Sequence, residues 1–193
     1  MADGHVKGLW RFPVLGMRGE SLRSSQIDTR GVGADRQHYA RGPEGPLTAQ
    51  DLPRLSRWRA TFPFNPDGAI APDRAPPFPL VTSPDGLKSW RWRDPRLFHA
   101  LERDLDRRVD LVRDLELTRG VIVATAELDE PAEAGVNIEL ELELAPGGWA
   151  GRELAFRDGV RLRLVASRAD GPGIEARVVQ SGRITVGEPV KLG

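Results

Sequence analysis

The chain contains no cysteine. Disulfides, thiolate metal ligands and cysteine nucleophiles are therefore closed to it in any compartment. Lysine occurs only at Lys7, Lys88 and Lys191, so nearly all the positive charge is arginine. A planar, permanently charged guanidinium suits carboxylate or phosphate where arginines cluster, and elsewhere reflects the codon usage of a GC-rich genome. No stretch approaches the roughly 18 apolar residues of a membrane helix, and the opening MADGHVKG lacks the apolar core of a signal peptide. A soluble cytoplasmic protein without a membrane partner is expected.

Catalytic signatures are missing too. The sequence has no Gly-x-Ser-x-Gly elbow, Walker loop, His-Glu-x-x-His helix or paired-cysteine spacing. GVGADR at Gly31–Arg36 is too short for a dinucleotide fingerprint and lies between strands. Hydrolase and kinase classes thus lose their usual support. His99, Glu102 and Asp106 sit among Arg103 and Arg107, the pattern of a solvated helix face rather than a metal set, and His5 and His38 are isolated in sequence.

What is present is an ordinary globular composition: 193 residues, 39% hydrophobic and 29% charged, enough for one large or two small domains. Formal net charge is zero, so bulk attraction to nucleic acid is not indicated and any electrostatic function is local. The stretch Leu9–Tyr39 places Val14 and Met17 beside Gly16 and Gly19, which reads as strand, tight turn, strand. Arg11, Arg18, Arg23, Arg30, Arg36 and Arg41 return through and just beyond it, and point to an anion site.

Beyond Ala60 the chain becomes dense in proline and glycine, predicting an irregular excursion over residues 61–89, a substrate rim or a linker, pinned by Phe62, Phe64, Phe78, Trp90 and Trp92. Asp94 as cap, Pro95 at the first helical position, and Leu97, Phe98, Leu101 and Leu105 on one face predict a helix. After it, strands are expected at Val109–Arg113, Val121–Ala126, Val136–Leu144, Arg152–Phe156, Val160–Ala166, Arg177–Val179 and Arg183–Val186. In Val136–Leu144 the apolar residues alternate with Asn137, Glu139, Glu141 and Glu143, predicting one buried and one acidic face. Arg161 and Arg163 alternate likewise with Val160, Leu162 and Leu164, and could pair with those acids across a ladder. Many short strands with one substantial helix give a mainly β fold, a barrel or two merged barrel halves.

LWRFPVLGMRGESL followed by RGVGADRQHYA resembles the N-terminal barrel of MOSC-domain proteins, related to the C-terminal part of molybdenum cofactor sulfurase, whose pattern reads L-W-R-Y-P-V-K-S/G-M-x-G-E, then G-x-x-G-D-R. LTAQDLPRLSRWRA (Leu47–Ala60), VNIELE (Val136–Glu141), GWAGRELAFRDGVRLRL and ARVVQSGRITVGEPVKL resemble later segments of the same family in the same order. The resemblance implies a MOSC N-terminal β-barrel over residues 1–95, carrying the Pro/Gly-rich loop, merged with a MOSC-like β-barrel over 96–193, with sheets that can be shared. It further implies a cleft for the anionic pterin molybdenum cofactor, in proteins that reduce N-hydroxylated compounds or handle sulfur.

Carried over residue by residue, the cofactor-binding candidates are Arg36 from the Asp-Arg motif, Asn137 from the Pro-Asn-Ile segment and Thr125 near a serine/threonine stretch, with Arg11 and Arg18 as nearby cations. The sequence departs from the family at Leu15 for lysine, Gln50 for lysine or arginine, Gly135-Val136 for Arg-Pro, and LVASRADGPG (Leu164–Gly173) for a cysteine-bearing loop. Two readings follow. One is a divergent enzyme of oxidoreductase or sulfur-transfer ancestry acting on a nitrogen-containing small molecule, with molybdenum cofactor or another anionic metabolite in the cleft. The other is a non-catalytic module that binds an anionic molecule or a protein partner. Arg36 and Asn137 also admit a structural reading, as a bridge to Asp35 and a strand-start backbone partner.

Overall fold

The computed structural model describes residues 2–63, 75–115, 120–125, 135–142, 148–169 and 172–193. In chain order the elements of the first half are β1 (Ala2–Arg11), β2 (Glu20–Ser21), β3 (Ser24–Asp28), β4 (Gly31–Val32), β5 (His38–Gly42), β6 (Gly45–Pro46), a 3-10 turn (Pro53–Arg57), β7 (Arg59–Thr61), β8 (Leu80–Thr82), β9 (Ser89–Arg91) and α1 (Pro95–Leu105). The second half adds β10 (Asp110–Arg113), β11 (Val121–Thr125), β12 (Ile138–Leu142), β13 (Glu153–Phe156), β14 (Arg161–Ser167), β15 (Ile174–Gln180), β16 (Gly182–Thr185) and β17 (Pro189–Leu192). The fold is mainly β with a single α-helix among the described residues.

β1 closes a seven-stranded barrel. It pairs antiparallel with β17 at Gly4↔Val190 and with β12 at Val6↔Leu140, and the ring runs β12, β11, β15, β14, β13, β17 and back to β1. Strands from the two ends of the chain thus share one sheet. The pleat sends alternate residues inward, so Val6, Val123, Ile138, Leu140, Leu154, Leu162, Leu164 and Leu192 fill the barrel with Trp149. Gly4 permits the closure: a Cβ there would lie 2.2 Å from the backbone oxygen of Glu141.

A second core gathers Val14, Leu55, Trp58, Val81, Trp92, Leu97 and Leu101. Its helix begins where the sequence places it. The Asp94 side chain accepts from the Arg96 N–H at 2.9 Å, Pro95 occupies the first turn, and Leu97, Leu101 and Leu105 face inward with Ala100, while Phe98 is half-buried. Trp58 Nε1 donates to Asp104 Oδ2 at 2.8 Å, tying the helix to the 3-10 turn. Residues 64–74 of the excursion after Ala60 lie outside the described ones; of the rest, β7, β8 and β9 make one small sheet. Phe62 and Trp92 are buried, and Phe78 and Trp90 pack against the second core. Phe64 lies outside the described residues, as do Ala126, Glu143 and Leu144.

Three strand expectations change. β12 lies between β1 and β11, parallel to the latter, so its acids never meet Arg161 and Arg163. Those arginines reach Glu153 of the adjacent β13 at 3.3 and 3.4 Å. Nor is the outer face of β12 uniformly exposed. Glu139 is buried and takes Lys7 Nζ at 3.1 Å, whereas Glu141 is exposed beside His5 at 3.3 Å. Finally, β15 spans seven residues rather than three, and β17 is an additional strand, recruited because β1 and β13 both need a neighbour to complete the ring.

Candidate functional site

The turn between β4 and β5 positions the site. Ala34 and Arg36 adopt left-handed backbone conformations, with φ of 63° and 51°, uncommon outside glycine and worth explaining when two occur in three residues. The contacts around them supply the explanation. Arg36 N donates to Phe12 O at 2.6 Å, and Phe12 N donates to Asp35 Oδ1 at 2.6 Å, which clamps the turn onto the chain just past β1. The Arg36 guanidinium stacks over the Phe12 ring, 4.8 Å from its centroid.

From there Arg36 reaches across the barrel mouth. Nη1 donates to Asp35 Oδ2 at 2.5 Å and to Asn137 Oδ1 at 3.1 Å, while Nη2 donates to the Gly135 carbonyl at 2.6 Å. Burial pushes the Asp35 carboxyl above its ordinary range, opposed by Arg36 and by the Phe12 N–H. The two donors reach separate oxygens of this one carboxyl. Asn137 is a three-way tie: its Oδ1 also accepts from Ile122 N at 3.1 Å, and its Nδ2 donates to Trp10 O at 3.3 Å. The structure therefore brings Arg36 and Asn137 together and gives both structural work.

Gly135 accepts from this cluster through its carbonyl. With φ of 71° it favours glycine, and a Cβ built on it would lie 3.5 Å from Arg36 Nη2 and 3.7 Å from Arg168 Nη1. Two guanidiniums thus flank one side-chain-free position. Arg168, half-buried just after β14, is a residue that sequence reasoning did not single out, because nothing local in LVASRADGPG reveals where its tip goes. Its backbone N–H donates to Gly173 O at 3.1 Å, which folds that loop back beside β11.

The other candidates have different partners. Arg11 is fully buried and donates Nε and Nη2 to Glu20 Oε1 at 2.9 and 2.6 Å, with its guanidinium over Phe62. Burial pushes its pKa down, and Glu20 and Asp35 oppose the shift. Arg18 is exposed, and its backbone pairs with Trp58 and Ala60. Thr125 ends β11 opposite Leu140, and its side chain lies outside the description. No group of three His, Asp or Glu capable of holding a metal occurs among the described residues.

His38, two residues past Arg36, faces the second core instead. It is fully buried, and burial together with the Arg113 charge holds its pKa down from 6.5 to about 4. The unfolded chain therefore binds the proton first. This contribution to stability is complete above pH 6.5 and is lost as pH falls toward 4, a change of about 3 kcal/mol. Urea titrations of wild type and His38→Phe across that window should diverge by this amount; parallel pH profiles would contradict a buried neutral imidazole.

The family model for the MOSC N-terminal beta barrel domain matches residues 3–102, more than half of the chain. The chain belongs to that family. No curated protein matches this MOSC-family chain by sequence. Among solved structures, the YUAD protein from Bacillus subtilis is similar over 100% of this chain and 98% of its own, at 11% identity and a TM-score of 0.49. Within the matched region, the position where the resemblance has a lysine is the buried Leu15. Among the described residues, no helix is long and apolar enough to cross a membrane.

Proposed function

We propose that this MOSC-family protein binds an anionic small molecule at the barrel mouth beside Gly135, between Arg36 and Arg168. The observation that carries the reading is the approach of two guanidiniums to a single glycine. Gly135 stands where the resemblance has an arginine, and Arg168 supplies a cation at the same place from a different loop. Arg36 keeps N–H capacity at Nε and Nη2 beyond its bonds to Asp35, Asn137 and Gly135, and paired arginines suit the oxygens of phosphate or carboxylate.

The family's pterin molybdenum cofactor fits this donor set only in its phosphate. The metal of that cofactor takes a cysteine thiolate by resemblance, and this chain has none. No chemical step is therefore routed through molybdenum. The missing thiolate favours a binding module over turnover of a nitrogen-containing substrate.

Calorimetry with inorganic phosphate and with a phosphate-bearing pterin tests this. Arg168→Gln should weaken binding by roughly 10- to 100-fold, the value of one charge-assisted contact, with the unfolding midpoint measured alongside to separate lost binding from lost stability. Arg36→Gln is less informative, because it also strips Asp35 of its partner. If neither anion binds wild type, the small-molecule reading fails and a protein partner takes its place.

A further inference from the structure

Away from Gly135, the second core contains a polar cluster that the anion site does not use. His38 on β5, Trp92 just past β9 and Arg113 on β10 come from three separate elements. His38 and Trp92 have ring centroids 5.4 Å apart at 75°, and Arg113 lies directly opposite His38 in the β5–β10 ladder. Phe62 and Phe78 complete the box, each 6.2 Å from the His38 ring, with the Arg113 guanidinium over Phe78 at 4.9 Å.

The polar edges of this box are unmatched. Among the described residues, His38 Nε2, Trp92 Nε1 and Arg113 Nε are all buried without a hydrogen-bond partner. Folded proteins rarely leave even one such atom without protein or water, because a buried orphan forfeits its hydration for nothing. His38 neighbours both of the other groups, so the three orphans gather around one imidazole and point to a shared guest.

The protonation states specify what that guest offers. His38 Nδ1 lies 3.3 Å from the Pro13 carbonyl, which can only accept, so Nδ1 carries the proton and Nε2 presents a lone pair. Trp92 Nε1 and Arg113 Nε can only donate. The complement is an atom that gives one hydrogen and accepts two. A hydroxyl oxygen does this, whereas a bare carboxylate cannot satisfy the histidine and an ammonium cannot satisfy the two N–H groups.

We infer that His38, Trp92 and Arg113 form a buried binding site for one hydroxyl oxygen, filled by a water molecule or by the hydroxyl of a small guest. A single oxygen within reach of all three would turn the orphaned atoms into a closed network. Arg113 is anchored by its Nη2 bond to the Pro76 carbonyl, which leaves Nε as the donor for the site. The site is separate from the anion cradle: His38 faces the second core, and the Arg36 guanidinium faces Asn137 and Gly135.

A crystal structure of the full chain, at a resolution that shows ordered water, tests the site. Isolated density within hydrogen-bond distance of His38 Nε2 and at least one of the two N–H groups supports it, with water as guest. Elongated density there supports it with a small hydroxylated guest, which mass spectrometry of the denatured protein would identify. Empty density overturns it. Thermal unfolding at pH 7 gives an independent reading through its sign. His38→Phe should lower the midpoint by roughly 2–4 °C if a hydrogen-bonded guest is lost. A raised midpoint, expected when an apolar ring replaces an orphaned nitrogen in a dry box, overturns the site as well.

Discussion

Asp35→Ala should destabilise the protein by about 3–5 kcal/mol, the cost of leaving one member of a buried ion pair without its counter-charge. Asp35 does two jobs at once, accepting from the Phe12 N–H at 2.6 Å and from Arg36 Nη1 at 2.5 Å. Truncation strands a buried guanidinium and a buried backbone donor together. It also releases the strained turn at Ala34 and Arg36, whose left-handed conformations those bonds hold in place. Asp35→Asn, which keeps an acceptor for Phe12, should lose less. The double variant Asp35→Ala/Arg36→Met should be more stable than the sum of its single losses, because no unpaired charge remains. Urea unfolding with an unchanged m-value is the measurement. A loss under about 1 kcal/mol for Asp35→Ala would mean that water reaches the pair and that the turn holds itself.

Leu140→Ala should cost about 2–5 kcal/mol, while Glu141→Ala, one residue along the same strand, should stay within about 1 kcal/mol. Leu140 is fully buried inside the barrel opposite Val6, and Glu141 is 63% exposed at its side chain. A one-residue slip of β12 would exchange their faces. Equal losses in denaturant titrations would contradict the register that closes the barrel onto β1. Glu139 belongs with Leu140 in this respect: it lies on the outer face yet is buried under Lys7, so Glu139→Ala should exceed the cost of Glu141→Ala.

The alternation of Val136–Leu142 and Val160–Leu164 announces strands because their period survives any tertiary context. Asp94-Pro95 announces the helix because capping is local chemistry. Pairing partners are another matter. Nothing in the local pattern of Ile138–Leu142 states that β1 will lie on one side and a parallel β11 on the other, so the salt bridges expected with Arg161 and Arg163 went to Glu153 instead. The burial of Glu139 was hidden for the same reason, since Lys7 belongs to a strand far away in sequence.

The site divides along the same line. Arg36 and Asn137 stood out as candidates because each stands in a short motif whose residues are adjacent in the chain. Their structural engagement with Asp35, Gly135, Ile122 and Trp10 depends on the closed barrel and was readable only as an alternative. Arg168 was invisible, because a guanidinium at the end of a long side chain acquires meaning only from what lies beside it. His38 looked isolated in sequence, and becomes a buried neutral imidazole once Trp92, Phe62 and Phe78 close around it.

The most direct measurement on the central claim is a crystal structure of the wild-type chain soaked with inorganic phosphate. The account predicts tetrahedral density beside Gly135 within hydrogen-bond distance of both the Arg36 and Arg168 guanidiniums. A cradle empty at saturating phosphate, or phosphate held only by surface arginines such as Arg161 and Arg163, would contradict it.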